Sequence, residues 1–145
     1  MSKHLLFISI FFTFLFGCCH SPKKMATKQS YISLTETPLT PTQLAYSFQL
    51  FFDGKFIYQE KGGAITEGII APITNENLWE MIEQGKLNNY KNSYLAGTED
   101  TPPTIITYVT KHTNKQISFQ QKAPEQLKKI VLAIKKIKSK SIDTH

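Results

Sequence analysis

Arginine is absent from this chain of 145 residues: all 17 basic residues are lysine, set against 11 carboxylates for a net charge of +6. Arginine's planar fork is the usual instrument for bidentate recognition of phosphate and base edges, so its absence argues against a nucleic-acid partner. Cysteine is nearly absent as well. The two that exist, Cys18 and Cys19, are neighbours, and a bridge between adjacent residues lies outside normal disulfide geometry. The histidines His4, His20, His112 and His145 form no spaced cluster with them, so a metal-ligand set of the usual kind is missing and no cofactor is expected. A glycine-rich phosphate loop is also lacking, because Gly62-Gly63 has no Lys-Thr or Lys-Ser sequel. Finally, no apolar run is long enough for a comfortable transmembrane helix. The longest, Leu5 to Phe16 (LLFISIFFTFLF), stops after twelve residues, whereas crossing a hydrocarbon core of ~30 Å takes about 20.

What stands at the N-terminus is a short head with one lysine, that apolar block, then Gly17 and the cysteine pair. This is the layout of an export signal. No A-x-A pattern marks a cleavage site; instead Leu15-Phe16-Gly17-Cys18 resembles the lipobox of bacterial lipoproteins. The resemblance implies that Cys18 carries a lipid thioether and begins the mature chain. Phe16 departs from the lipobox, which prefers Ala, Ser, Thr or Val there. Cleavage before Cys19 is the second arrangement, with a vicinal disulfide and a metal site ranked below both. The expected organisation is a lipoprotein signal peptide at 1–17, a polar tether at 18–30, one domain at 31–140 and a disordered tail at 141–145. The chain is therefore expected to be exported and held by its lipid on a bacterial cell membrane, on the periplasmic side or at the outer membrane. A thirteen-residue tether reaches roughly 45 Å at most.

Charge is uneven in a way that suits this address. Lys23, Lys24 and Lys28 lie in the tether, and Lys122 to His145 holds seven lysines against Glu125 and Asp143. A lysine close to an anionic leaflet gains about 1 kcal/mol of attraction. About 110 residues remain to fold, enough for one domain with a modest core.

Along that domain, Ala45 to Lys61 (AYSFQLFFDGKFIYQEK) alternates as a strand, meets Asp53-Gly54 and returns. Asp-Gly predicts a two-residue type I′ hairpin, and that register sets Leu50 opposite Ile57 and puts Phe51 and Phe56 on one shared face. Gly62-Gly63 is read as a second turn and AITEGIIAP as a third strand. Thr74 is expected to cap a helix closed by Gly85, followed by a long loop at 86–103. Strands follow from Thr104 and from Gln116, with Thr113-Asn114-Lys115 as the turn. Pro124 opens a last helix with Leu127, Ile130, Val131, Ile134 and Ile137 at helical spacing and lysines opposite. The fold class expected from this order is α+β, a mainly antiparallel sheet with two helices packed on one face.

From Thr37 onward the sequence resembles a family of small uncharacterised domains common in lipoproteins of Bacteroidota. Its members read T-P-C-x-G-x-C-P-x-Y, then a strand and a D-G turn, a D-S-Y, a P-T and an A-P-x-x-L. The positions that carry the resemblance are Thr37-Pro38, Tyr46, Asp53-Gly54, Ser93-Tyr94, Pro103-Thr104 and Ala123-Pro124 with Leu127. Leu39 and Gln43 stand where the family has its cysteines, so nothing resting on that pair carries over.

The function read from the residues is a lipid-anchored binding or interaction module that catalyses nothing, with an envelope protein or wall component as partner. The candidate surface is Tyr90 and Tyr94 with the loop acids Glu99 and Asp100. Phe51, Phe56 and Tyr58 would add an aromatic patch should the helices leave one sheet face bare. An inhibitor or immunity lipoprotein blocking an envelope enzyme is the alternative. A small enzyme using Glu99, Asp100 or Glu67 ranks third, because adjacent acids in a Pro/Gly-rich loop usually form turns. Oligomeric state is left open.

Overall fold

In the computed structural model of the chain, the described residues are 30–37, 44–95 and 102–143. Seven strands form one sheet: β1 (Tyr31–Glu36), β2 (Tyr46–Phe51), β3 (Lys55–Glu60), β4 (Ile65–Ile69), β5 (Ser93–Tyr94), β6 (Thr104–Thr110) and β7 (Thr113–Phe119). Two helices accompany them, α1 (Pro72–Gly85) and α2 (Glu125–Ile142). The sheet order is β4-β3-β2-β1-β6-β7-β5. Every neighbouring pair is antiparallel except the short parallel pairing of β5 with β7. The expected α+β class is borne out.

Both helices lie on the same face. Ile32, Leu34, Phe48, Leu50, Phe56, Ile106 and Ile117 are essentially fully buried and form one cluster with Leu78, Trp79 and Ile82 of α1 and all five apolar positions expected on α2. Phe48 and Phe56 stack across β2 and β3 with ring centroids 5.7 Å apart. Burying side chains of this size contributes about 1.5–3 kcal/mol each.

Two strands escaped the reading of the sequence. β1 has only two apolar core positions, Ile32 and Leu34, yet it lies at the middle of the sheet between β2 and β6. β5 and a 3-10 turn at Leu87–Asn89 fall within the expected long loop.

The β2–β3 hairpin is shifted by one residue from expectation. Leu50 pairs with Phe56, and Gln49 with Ile57. The cause is the turn: Gly54 N–H donates to Phe51 C=O at 3.0 Å, and Gly54 alone takes the left-handed conformation, at φ +89. This is a three-residue loop, a turn followed by a glycine in the αL region, and one extra residue moves every side chain of β3 to the other face. Phe56 and Tyr58 therefore enter the core, while Ile57 joins Phe51 outside.

Four boundary details also differ. α1 begins at Pro72, whose missing N–H costs nothing in a first turn, and Thr74 lies inside the helix with no capping role. The residue in αL conformation past its end is Lys86, at φ 48. Gly85 serves a different need: a Cβ there would lie 2.7 Å from Ile130 Cδ1, so its bareness permits the close approach of α2. At the other hairpin, Thr113 to Lys115 belong to β7 and the turn is Lys111-His112. α2 runs to Ile142, which packs against the core.

Candidate functional site

Residues directly opposite one another in a sheet share a face, so the registers trace the side the helices leave bare. Near the β2–β3 turn it presents Ile69, Lys55, Phe51, Tyr31 and Val109. The next row is Glu67, Ile57, Gln49, Ser33, Thr107 and Gln116. Among the described residues no helix or strand packs on this face. Lys55 and Glu67 are its only charged side chains on the six longer strands. Tyr31 and Phe51 meet obliquely, ring centroids 5.9 Å apart at 55°. Beside them Phe51, Lys55, Ile57, Glu67 and Ile69 border a trough of about 510 Å³.

On the helix side, one carboxylate gathers three donors. Glu36 Oε1 accepts from Thr104 Oγ1 at 3.1 Å and lies 2.5 Å from Lys135 Nζ, while Oε2 accepts from Tyr46 Oη at 2.5 Å. Half-burial alone would raise the Glu36 carboxyl; the bonds from Lys135 and Tyr46 and the Lys135 charge outweigh it, and the net shift is downward. Burial and the Glu36 carboxylate raise the Tyr46 hydroxyl far above its usual range, so it stays a donor. Tyr58, buried and bonded to Glu60 at 2.6 Å, is pushed up to about 12. Lys138 Nζ sits 3.9 Å from the centroid of the Tyr46 ring, and burial lowers it. Each carboxylate here is met by a donor, and each hydroxyl is held protonated. The chemistry of such a cluster is that of a clamp between α2 and three adjacent strands.

A second hollow of about 470 Å³ lies between α1 and the β2–β3 turn, floored by Phe52 and Trp79 and rimmed by Asp53, Glu76, Glu80 and Glu83. Its wall is fixed by Asn75, whose Nδ2 donates to Phe52 C=O at 2.7 Å and whose Oδ1 accepts from Trp79 Nε1 at 3.0 Å.

The residues singled out from the sequence are dispersed. Tyr90 and Tyr94 pack edge to face at 6.5 Å beside the β5 edge, and both lean on the core, with Tyr94 Oη accepting from Lys91 N–H at 3.0 Å. They lie far across the sheet from the trough beside β4. Of the aromatics weighed for a bare face, Phe51 is there while Phe56 and Tyr58 are buried beneath the helices. Glu67 is exposed on the bare face and makes no ion pair among the described residues. Cys18, Leu39, Gln43, Glu99 and Asp100 lie outside the described residues. Among those described, no group of three or more His, Cys, Asp or Glu could hold a metal ion, and no helix is long and apolar enough to cross a membrane. Sequence reasoning missed Glu36 and Tyr31, because their significance depends on β1 being a central strand.

Residues 43–138 match the family described as DUF6438, a domain of unknown function. The chain belongs to that family. The DUF6438 match takes in β2 through most of α2 and begins after β1. Yet β1 supplies the strand that joins β2 to β6, so in this chain the DUF6438 region depends on a preceding strand for a continuous sheet. No curated protein matches the chain.

Proposed function

We propose that the chain is a lipid-anchored, non-catalytic binding module of the bacterial cell envelope, and that its bare sheet face is the binding surface. The observation that carries the reading is the one-sided cover of the sheet: both helices share one face, while on the other no described helix lies over Tyr31, Phe51, Ile57, Ile69 and Val109. Apolar clusters left open on a folded domain mark interaction sites, and tyrosine with its apolar body and polar tip is enriched in interfaces.

Charge supports the same orientation. Between the two helices on the covered face, the six lysines of α2 outnumber Glu125 and the three glutamates of α1, Glu76, Glu80 and Glu83. An anionic leaflet attracts the α2 side. The opposite sheet face then points away from the membrane, toward partners. The lipobox-like Leu15 to Cys18 supplies the anchor.

The test is photo-crosslinking in growing cells with benzoylphenylalanine at single positions of the full chain. Incorporation at Phe51, Ser33 or Thr107 should give a discrete adduct, and incorporation at the exposed Leu132 of α2 should give none with that mass. Adducts from Leu132 alone would overturn the reading. For the anchor, a labelled fatty acid should mark the wild type and not Cys18→Ser; label surviving that substitution would remove Cys18 as the site.

A further inference from the structure

The two edges of the sheet are built differently. On one side β5 pairs only with Ser118 and Phe119, and the rest of the β7 edge carries Lys115 and is flanked by the 3-10 turn, with Asn88 bonded to Thr113 and Lys115 to Asn92. On the other, β4 runs five residues with nothing beside it among the described residues. Ile70 N–H donates to Gly54 C=O at 3.0 Å, which fixes the alternation of the β3–β4 ladder: Phe56 with Gly68 and Tyr58 with Thr66 exchange hydrogen bonds. The N–H and C=O groups of Ile65, Glu67 and Ile69 consequently point outward, away from β3. Native edges are usually blunted by proline, lysine, a bulge or brevity. β4, reading ITEGI, has neither proline nor lysine.

Exposed apolar side chains collect at the same place. Of the six large ones among the described residues, Ile65 at 57%, Ile69 at 74% and Ile73 at 64% belong to β4 and the start of α1. Ile65 and Ile69 lie on the bare face with Glu67 between them. The edge therefore offers three backbone pairs, two apolar positions and one carboxylate with no ion pair among the described residues, in a fixed order.

We infer that the β4 edge takes up an extended segment of a partner protein as an eighth strand, with a lysine or arginine of that segment opposite Glu67 and apolar residues two positions to either side. The inference rests on the reading of the bare sheet face as a binding surface and names what that surface binds at its margin. Backbone pairing supplies affinity and alternate side chains supply selection, as in other strand additions. Opposite charges facing each other across strands are favourable and like charges unfavourable. A second copy of this chain is the poorer occupant for that reason. In a two-fold antiparallel pairing of β4 with itself, residues of one parity oppose each other, so Glu67 meets either Glu67 or an isoleucine and never a cation.

The experiment uses the full chain, purified in detergent and labelled with nitrogen-15, titrated with the blocked peptide Ser-Ile-Thr-Lys-Thr-Ile-Ser. The amides of Ile65, Glu67 and Ile69 should shift and gain protection from hydrogen exchange. The peptide with Glu in place of Lys should bind about tenfold more weakly, Glu67→Lys should reverse that order, and methylation of the Lys amide nitrogen should abolish binding. Equal binding of the Lys and Glu peptides, or of the methylated one, would overturn the inference, as would the absence of any β4 shift at millimolar peptide. Self-association that strengthens in Glu67→Gln would give the edge to a second copy and overturn it too. Crosslinks from Phe51 in cells that persist while no peptide engages β4 would remove this inference and leave the binding face standing. Loss of those crosslinks would remove the face itself.

Discussion

Lys135 Nζ lies 2.5 Å from Glu36 Oε1 and ties the second half of α2 to the strand at the centre of the sheet. Tyr46 of β2 and Thr104 of β6 bond to the same carboxylate, so the clamp spans three adjacent strands. The folded carboxyl of Glu36 is lowered from its ordinary 4.5. Its contribution is thus present above the unfolded value and is lost as pH falls through the lower folded value. Urea unfolding at a series of pH values should show wild-type stability falling below about pH 4.5 and a flatter profile for Glu36→Gln. At pH 7 the substitution should cost about 1–2 kcal/mol, at the low end for bonds to a charged group because Lys135 is partly exposed.

Asn75 bridges the β2–β3 turn to α1 through bonds to Phe52 C=O and Trp79 Nε1. Asn75→Ala strands a buried donor and an acceptor at once. A loss of about 2–3 kcal/mol is expected, read by denaturant unfolding. The fluorescence of Trp79, the only tryptophan, should change with it.

Gly85→Ala sets a methyl against Ile130 Cδ1, 2.7 Å from the new Cβ. Overpacking in the core costs about 1–3 kcal/mol, partly offset by the better helix propensity of alanine, about 1 kcal/mol. Ile130→Val removes the clashing atom and costs about 0.5–1.5 kcal/mol alone. The double variant should lose less than the sum of the two, a sub-additivity that a double-mutant cycle measures.

Lys86 holds an αL conformation at φ 48 past the end of α1, which strains a residue with a Cβ by about 1–2 kcal/mol. Lys86→Gly should therefore raise stability by about 0.5–1 kcal/mol, once glycine's larger entropy loss is subtracted. A higher midpoint in thermal unfolding would show it.

Much of the fold was legible where amphipathic spacing is long and one-sided. The five inner positions of α2 recur through about three turns and all are buried. The β2–β3 hairpin was harder, because Phe48 to Tyr58 is apolar on both faces near its tip and alternation cannot choose a register; the turn chooses, through the single αL residue Gly54. β1 was invisible for the opposite reason. Only Ile32 and Leu34 of its six residues enter the core, and its weight comes from two neighbouring strands, one of them β6, far along the chain. The site followed the same rule. The bare face, the β4 edge and the Glu36 clamp all arise from residues brought together by strand order, which no local pattern encodes.

Hydroxyl-radical footprinting compares the bare face in the cell with the same face in the purified chain. Tyr31 and Phe51 are reactive aromatics on it near the β2–β3 turn, and Leu132 on α2 is 68% exposed and reports the opposite side. If the sheet face is the binding surface, Tyr31 and Phe51 should be several-fold less oxidised in intact envelopes than in purified protein, with oxidation restored by washing at conditions that strip partners. Equal oxidation of Tyr31 and Phe51 in both preparations would contradict the account.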